Sequence, residues 1–160
     1  MAVVTKFNVT SDLFSFGDTI PVRYTCQGKN YSHPLTWENV GNIAKSFAII
    51  CEDPDAPNGT FVHWVVFNLV HTIAHPFTRL NENDSIGQLG GIVGKNSAGR
   101  SRYMGPCPPS GEHRYVFKVY ALDTLFTLDS STTADQLKKA MDGHIVGEGM
   151  LMGRYQKKAQ

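Results

Sequence analysis

Fifteen glycines and eight prolines punctuate the chain, and between them lie short runs of β-branched and aromatic residues. That spacing argues for a sheet protein, a β-sandwich or a close relative of one. Three runs are strong. Ser46-Phe47-Ala48-Ile49-Ile50-Cys51 is compact and apolar and ends at Glu52-Asp53-Pro54, as a buried strand would. Phe61-Val62-His63-Trp64-Val65-Val66-Phe67-Asn68-Leu69 is apolar on both faces, and residues 115–122 form the third run. Weaker strands are expected at 3–9, 20–25, 35–37 and 91–95. One helix stands out over 134–141. Ser131, Thr132 or Thr133 can cap it, Leu137, Ala140 and Met141 share one face, and Gly143 follows as a stop. Over 144–155, glycines at 147, 149 and 153 each cost a helix about 1 kcal/mol relative to alanine. That stretch reads as a closing strand, with helix as the alternative.

The 160 residues suit one domain over 1–160, large enough to bury a core without disulfides or a metal. Fifteen Lys and Arg against fourteen Asp and Glu exclude a strongly basic nucleic-acid binder. No apolar run approaches the roughly 20 residues that span a bilayer. The first residues show no charged n-region followed by an apolar stretch, so a cytoplasmic protein without stable membrane insertion is expected. Cys26, Cys51 and Cys107 are odd in number and far apart. With no C-x-x-C pair they read as free thiols in a reducing compartment, and no metal or other cofactor is expected.

Three segments carry chemistry. In Asp53-Pro54-Asp55-Ala56-Pro57 two prolines stiffen a loop that holds two carboxylates; a rigid surface turn with solvated acids is the plain alternative. His63 opens the second strong strand, and a hairpin would return it near Asp53, which can orient its ring. A core histidine bonded to a carbonyl is the plainer reading of a lone His. Tyr103-Met104-Gly105-Pro106-Cys107-Pro108-Pro109-Ser110-Gly111 is a preorganised loop, in which only Gly105, Cys107, Ser110 and Gly111 can donate a backbone N–H between 105 and 111. His113 and Tyr115 follow, two apart, and share a face if the segment is a strand. Two acids, two histidines, a tyrosine and a Gly/Pro loop can converge on one small polar pocket.

These segments, in this order, resemble the phosphatidylethanolamine-binding protein family, also known for Raf kinase inhibitor protein, and its bacterial and archaeal branch in particular. Asp53–Pro57, His63-Trp64-Val65-Val66 and Gly105-Pro106-Cys107-Pro108-Pro109 with His113-Arg114-Tyr115 carry the likeness. The resemblance implies a mainly β fold, a sandwich of two antiparallel sheets with a small flanking helical element. It implies a shallow pocket for phosphate, phosphorylated headgroups or similar anions. Asp53, Asp55, Pro57, His63, Gly105, Cys107, Pro108, His113 and Tyr115 would line or support that pocket, with Tyr103 and Met104 at its rim. Relatives of the branch form homodimers, and members of the family are described as inhibitors of a kinase or a protease; both kinds of partner are open here.

Three classes of function follow. The first is a non-catalytic binding module, in which loop N–H groups and protonated histidine take a phosphorylated or other small anionic ligand while Asp53 orients the imidazoles. The second is an inhibitor of a protein partner through the pocket face. The third is a hydrolase using Asp and His, with Cys107 as the one candidate nucleophile in the pocket. No G-x-S-x-G elbow or P-loop supports the third. Asp53, Asp55, His63 and His113 are acceptable metal ligands by type, but they show no paired metal-ligand spacing.

Overall fold

A computed structural model describes residues 4–159. In chain order the elements are β1 (Thr5–Lys6), β2 (Val9–Thr10), β3 (Leu35–Trp37), β4 (Ser46–Asp53), β5 (Phe61–Val70), β6 (Arg79–Leu80), β7 (Ile92–Val93), β8 (Glu112–Leu122), α1 (Ala134–Met141) and β9 (Ile145–Gln156). They form a six-stranded sheet, β1-β9-β8-β4-β5-β7, facing a three-stranded sheet, β2-β3-β6. The main core lies between the sheets, around Phe47, Ile49, Val66, Phe117, Trp37 and Leu35. A second apolar cluster covers the outer face of the large sheet, where Ile50, Val65 and Phe67 pack under Leu137 and Met141 of α1. This is why β4 and β5 are apolar on both faces.

The mainly β sandwich with its flanking helix is as the sequence implied, with one difference. The large sheet is mixed, because β1 runs parallel to β9. The glycines of β9 make this possible. A Cβ at Gly149 would strike the Phe7 carbonyl, and one at Gly153 would meet Ile20 and Phe14. The N-terminal segment thus lies directly on the backbone of the closing strand. Of the expected strand at 3–9, Val3 lies outside the described residues, and the remainder divides between β1 and β2. The expected strand at 20–25 is instead a single 3-10 turn over Val22–Tyr24, entered through Pro21 at φ −58°. Proline lacks the N–H a ladder needs. At 91–95 the strand is Ile92–Val93; the Gly94 N–H still donates to the Val65 carbonyl of β5, but the Lys95 N–H turns away to the Thr132 carbonyl. Helix α1 starts at Thr133, whose hydroxyl accepts from the Gln136 N–H while the Gln136 side chain accepts from the Thr133 N–H, a capping box.

Strand alternation sends neighbours to opposite sides. Glu52 faces outward, where Lys118 (3.2 Å) and Lys138 (3.0 Å) tie it to β8 and α1. Asp53 faces the sandwich interior. Among the described residues no helix is long and apolar enough to cross a membrane.

Candidate functional site

The ends of β4, β5 and β8 meet at one rim of the sandwich. β8 lies antiparallel to β4, with Glu52 opposite Val116, so the next inward residues, Asp53 and Tyr115, converge there with His113. The period of two puts His113, Tyr115 and Phe117 on one face, and all three are buried. His63 reaches the same place by a different device. Cys51 pairs with Trp64 but Glu52 pairs with Val62, so His63 is the extra residue of a β-bulge. The bulge turns His63 inward beside Trp64, where plain alternation would oppose them.

Asp53 is 3 % exposed, and both its oxygens are engaged. Oδ2 accepts from Nδ1–H of His113 at 2.7 Å, and Oδ1 accepts from the Asp55 N–H at 2.8 Å. His63 donates Nδ1–H to the Met104 carbonyl at 2.6 Å. Burial pushes its pKa down, only partly offset by that bond and by nearby Asp53, so the ring is neutral with its lone pair on Nε2. This corrects the expectation of a protonated imidazole, as far as His63 is concerned. Among the described residues neither Nε2 is buried without a partner, and the Gly105 backbone lies beside the His63 ring. Tyr115 is fully buried, and among the described residues its hydroxyl has no hydrogen-bond partner. The Cys107 N–H approaches it without closing a bond. Burial, then the charge of Asp53, raises the pKa of that phenol, which keeps it a donor.

These groups surround a cavity of about 230 Å³, lined by Asp53, Ala56, Pro57, Phe61, His63, Met104, Gly105, Cys107, Pro108, Pro109, His113 and Tyr115. Two of the named candidates are elsewhere. Asp55 does not line it. Its carboxylate grips Arg114 through Nε (2.9 Å), Nη2 (2.8 Å) and the backbone N–H (2.9 Å). These bonds hold its pKa down to about 2. Asp55 is the brace that fixes the proline loop to β8. Tyr103 lies behind the loop, its ring edge-on to Trp64 and its hydroxyl donating to the Tyr24 carbonyl at 2.9 Å. A larger open groove of about 440 Å³ runs over the outer sheet face, but its Lys6 and Glu148 pair with each other and its Lys118 pairs with Glu52. Among the described residues no group of three or more His, Cys, Asp or Glu side chains is placed to hold a metal ion.

A family model described as phosphatidylethanolamine-binding protein matches residues 10–156. The chain belongs to the phosphatidylethanolamine-binding protein family. A UPF0098 protein of Methanothermobacter thermautotrophicus is 45 % identical over 153 residues, covering 94 % of this chain and 99 % of that one. The crystal structure of a phosphatidylethanolamine-binding protein homologue from Chlamydia trachomatis superposes with a TM-score of 0.88 at 40 % identity, over 96 % of this chain and 99 % of that one. E. coli YbcL, described as a member of the mammalian family, gives 0.84 at 30 % identity, over 95 % and 99 %.

Against that family background, the cysteines of this chain need a correction. Cys26 and Cys107 form a disulfide across 81 positions, and only buried Cys51 is free. The fold sets the turn at Val22–Tyr24 against the loop that carries Cys107, a proximity that spacing along the chain does not reveal. The same turn region supplies contacts the sequence reading missed. Asn30, at φ 61°, accepts from the Gly105 N–H through Oδ1 at 2.8 Å. The Pro106 carbonyl accepts from the Cys26 N–H at 3.1 Å. Gly105 is therefore pressed against Asn30 and the Tyr24 carbonyl, where a Cβ would collide with both. Its N–H is used inside the chain, while the Cys107 N–H lies beside the Tyr115 hydroxyl. Phe61, Ala56 and Pro109 also line the cavity; only the register of β4 with β5 and the course of the loop place them there.

Proposed function

We propose that the cavity binds a small anion, phosphate or a phosphate-bearing headgroup or side chain, and that the chain acts as a binding module without catalysis. The buried, unpartnered hydroxyl of Tyr115 carries this reading. An unpaired buried donor costs about 1–3 kcal/mol, and this one lines a cavity just large enough for a small group. The Tyr115 hydroxyl is sealed from water in the free protein, so an acceptor seated in the cavity takes it, together with the Cys107 N–H, by a small shift of the wall. His113, its Nδ1–H held by Asp53, presents the other edge of its ring to the cavity. Neutral His63 offers an acceptor, which suits a ligand oxygen that still carries a proton. Asp53 spends both its oxygens on hydrogen bonds within the chain, so it orients His113 and the proline loop and does not contact the ligand. The walls of Pro57, Phe61, Pro108 and Pro109 accept the apolar part of an ester. The engagement of Cys107 in a disulfide removes the one candidate thiol nucleophile and weighs against a hydrolase.

The test is an NMR titration with inorganic phosphate and with O-phosphoethanolamine. Saturable shifts at His63, His113 and residues 105–111, lost in His113→Ala, are expected. Tighter binding of the ester points to headgroup recognition, and equal binding to a general anion site. No shifts at millimolar ligand would refute the reading.

A further inference from the structure

Residues 107–111 carry one wall of the cavity, with Cys107, Pro108 and Pro109 in its lining. The chain on either side is well anchored. Upstream, Met104 exchanges hydrogen bonds with His63, Gly105 donates to Asn30, and Pro106 accepts from Cys26. Downstream, the β8–β9 ladder begins at Glu112. Among the described residues, no hydrogen bond between these anchors joins 107–111 to the rest of the protein. Pro108 and Pro109 have no N–H to give. The tie on this wall is the bond from Cys107 to Cys26, and both cysteines are exposed. Cys51, the remaining cysteine, is buried and its thiol is pushed up by that burial, so it does not compete for exchange.

We infer that the Cys26–Cys107 disulfide is a redox-operated latch on the ligand pocket. Closed, it holds the wall formed by residues 107–111 in the binding conformation; opened, it frees that wall and ligand binding weakens. This rests on the reading of the cavity as an anion site. The operator is a dithiol reductant. Its thiolate attacks one sulfur of the bond, forming a mixed disulfide with that sulfur and releasing the other as a thiolate, and its second thiol then displaces the attacked protein sulfur from the mixed disulfide. The S–S bond breaks, two electrons and two protons from the dithiol leave thiols at Cys26 and Cys107, and the reductant closes to its own disulfide. A disulfide oxidant of the same class reverses the step. The freed wall must then be ordered again by each ligand, a loss of preorganisation expected to weaken binding about ten-fold.

Phosphate affinity is to be measured on the full chain by NMR titration in four states. These are the bond closed, the bond reduced with dithiothreitol, the bond reoxidised, and Cys26→Ser, a position that does not line the cavity. Alkylation and intact mass fix the thiol count, and core amide protection in β4 and β8 shows that the fold is kept. The expected result is about ten-fold weaker binding on reduction, restored by reoxidation, with Cys26→Ser weak and indifferent to reductant. Nitrogen-15 relaxation should show larger backbone motion at Cys107, Ser110 and Gly111 alone. Equal affinity with the bond open overturns the latch. Absence of phosphate binding in every state counts against the anion reading instead, and nitrogen-15 relaxation then decides the latch by itself. Larger motion confined to 107–111 on reduction upholds it, and unchanged relaxation refutes it.

Discussion

Replacing Tyr115 with Phe should move stability and affinity in opposite directions. The side chain is fully buried and its hydroxyl finds no partner among the described residues. Removing that one oxygen leaves the ring, its edge-on contact with His63 at 5.2 Å and the packing beneath it in place. An unpaired buried polar group costs about 1–3 kcal/mol, so Tyr115→Phe should stabilise the free protein by about 1 kcal/mol. For a domain of this size that is a rise of about 2–4 °C in Tm. The ligand-bound state loses instead. A hydrogen bond to a charged acceptor contributes about 1.5–3 kcal/mol, so phosphate should bind roughly 10- to 150-fold more weakly. At 100 times the wild-type Kd, phosphate stabilises the wild type by about 2.7 kcal/mol. With a Kd about 30-fold weaker, the same concentration stabilises the variant by only about 0.9 kcal/mol. Thermal melts with and without phosphate, together with calorimetric titration, read both signs in one series. A lower Tm for the free variant would show that the hydroxyl is hydrogen-bonded in the free protein. An undiminished ligand-induced shift would show that the ligand does not use it.

Acid should act through His33, which stacks edge-on to Phe14 and Phe117 in the core and whose pKa burial depresses from 6.5 to about 4. The unfolded chain takes the proton first, so stability is full above about pH 6.5 and falls by about 3 kcal/mol toward pH 4. Urea unfolding across that range should flatten in His33→Leu, and an equal slope would sink the assignment. Asp55, held down to about 2 by Arg114, contributes stability that is present above about pH 4 and lost as the pH falls toward 2. Because the pair is partly exposed, that contribution is under about 1 kcal/mol; the acid limb of wild type should be absent in Asp55→Asn. Gly105→Ala places a Cβ against Asn30 and the Tyr24 carbonyl and should cost about 1–3 kcal/mol and weaken phosphate binding. Gly87→Ala, with open space around it, is the control and should stay within about 0.5 kcal/mol of wild type. Similar melting temperatures for the two alanine variants would contradict the close packing of the loop.

What was legible in the sequence is what depends on local chemistry. The β-branched and aromatic density of β4, β5 and β8 announced buried strands, and the period of two placed His113 and Tyr115 together. The glycines of β9 disfavoured a helix, but the partner they make room for, Phe7 about 140 positions away, left no local signal. The disulfide was hidden for the same reason. Each cysteine sits among ordinary turn residues, and only the packing of the turn at Val22–Tyr24 against the loop brings them within bonding distance. Pro21, without an N–H, is the local sign against a strand at 20–25. His63 is the instructive intermediate case. Its nearness to Asp53 followed from a hairpin, but its inward direction depends on a bulge that the residues themselves do not mark.

That bulge also explains why the two histidines are not equivalent. His113 sits in regular alternation on β8, so its Nδ1 meets the carboxylate that the next strand directs inward. His63, displaced by the extra residue, meets a carbonyl instead. A neutral carbonyl orients an imidazole without stabilising its charge, and burial then keeps the ring uncharged. One imidazole is thus oriented by a carboxylate and the other by a carbonyl across the same small cavity. A fully deprotonated phosphate satisfies only the donors of Tyr115 and Cys107, whereas one that retains a hydroxyl also satisfies His63. Exchanging the environments tests this division of labour. Asp53→Asn removes the charge behind His113 but leaves the His63–Met104 bond untouched, so it should weaken anion binding without altering the tautomer of His63 in nitrogen-15 spectra. A change at His63 of the same size as at His113 would mean that the two rings act as one coupled unit and that their separate roles are wrongly assigned.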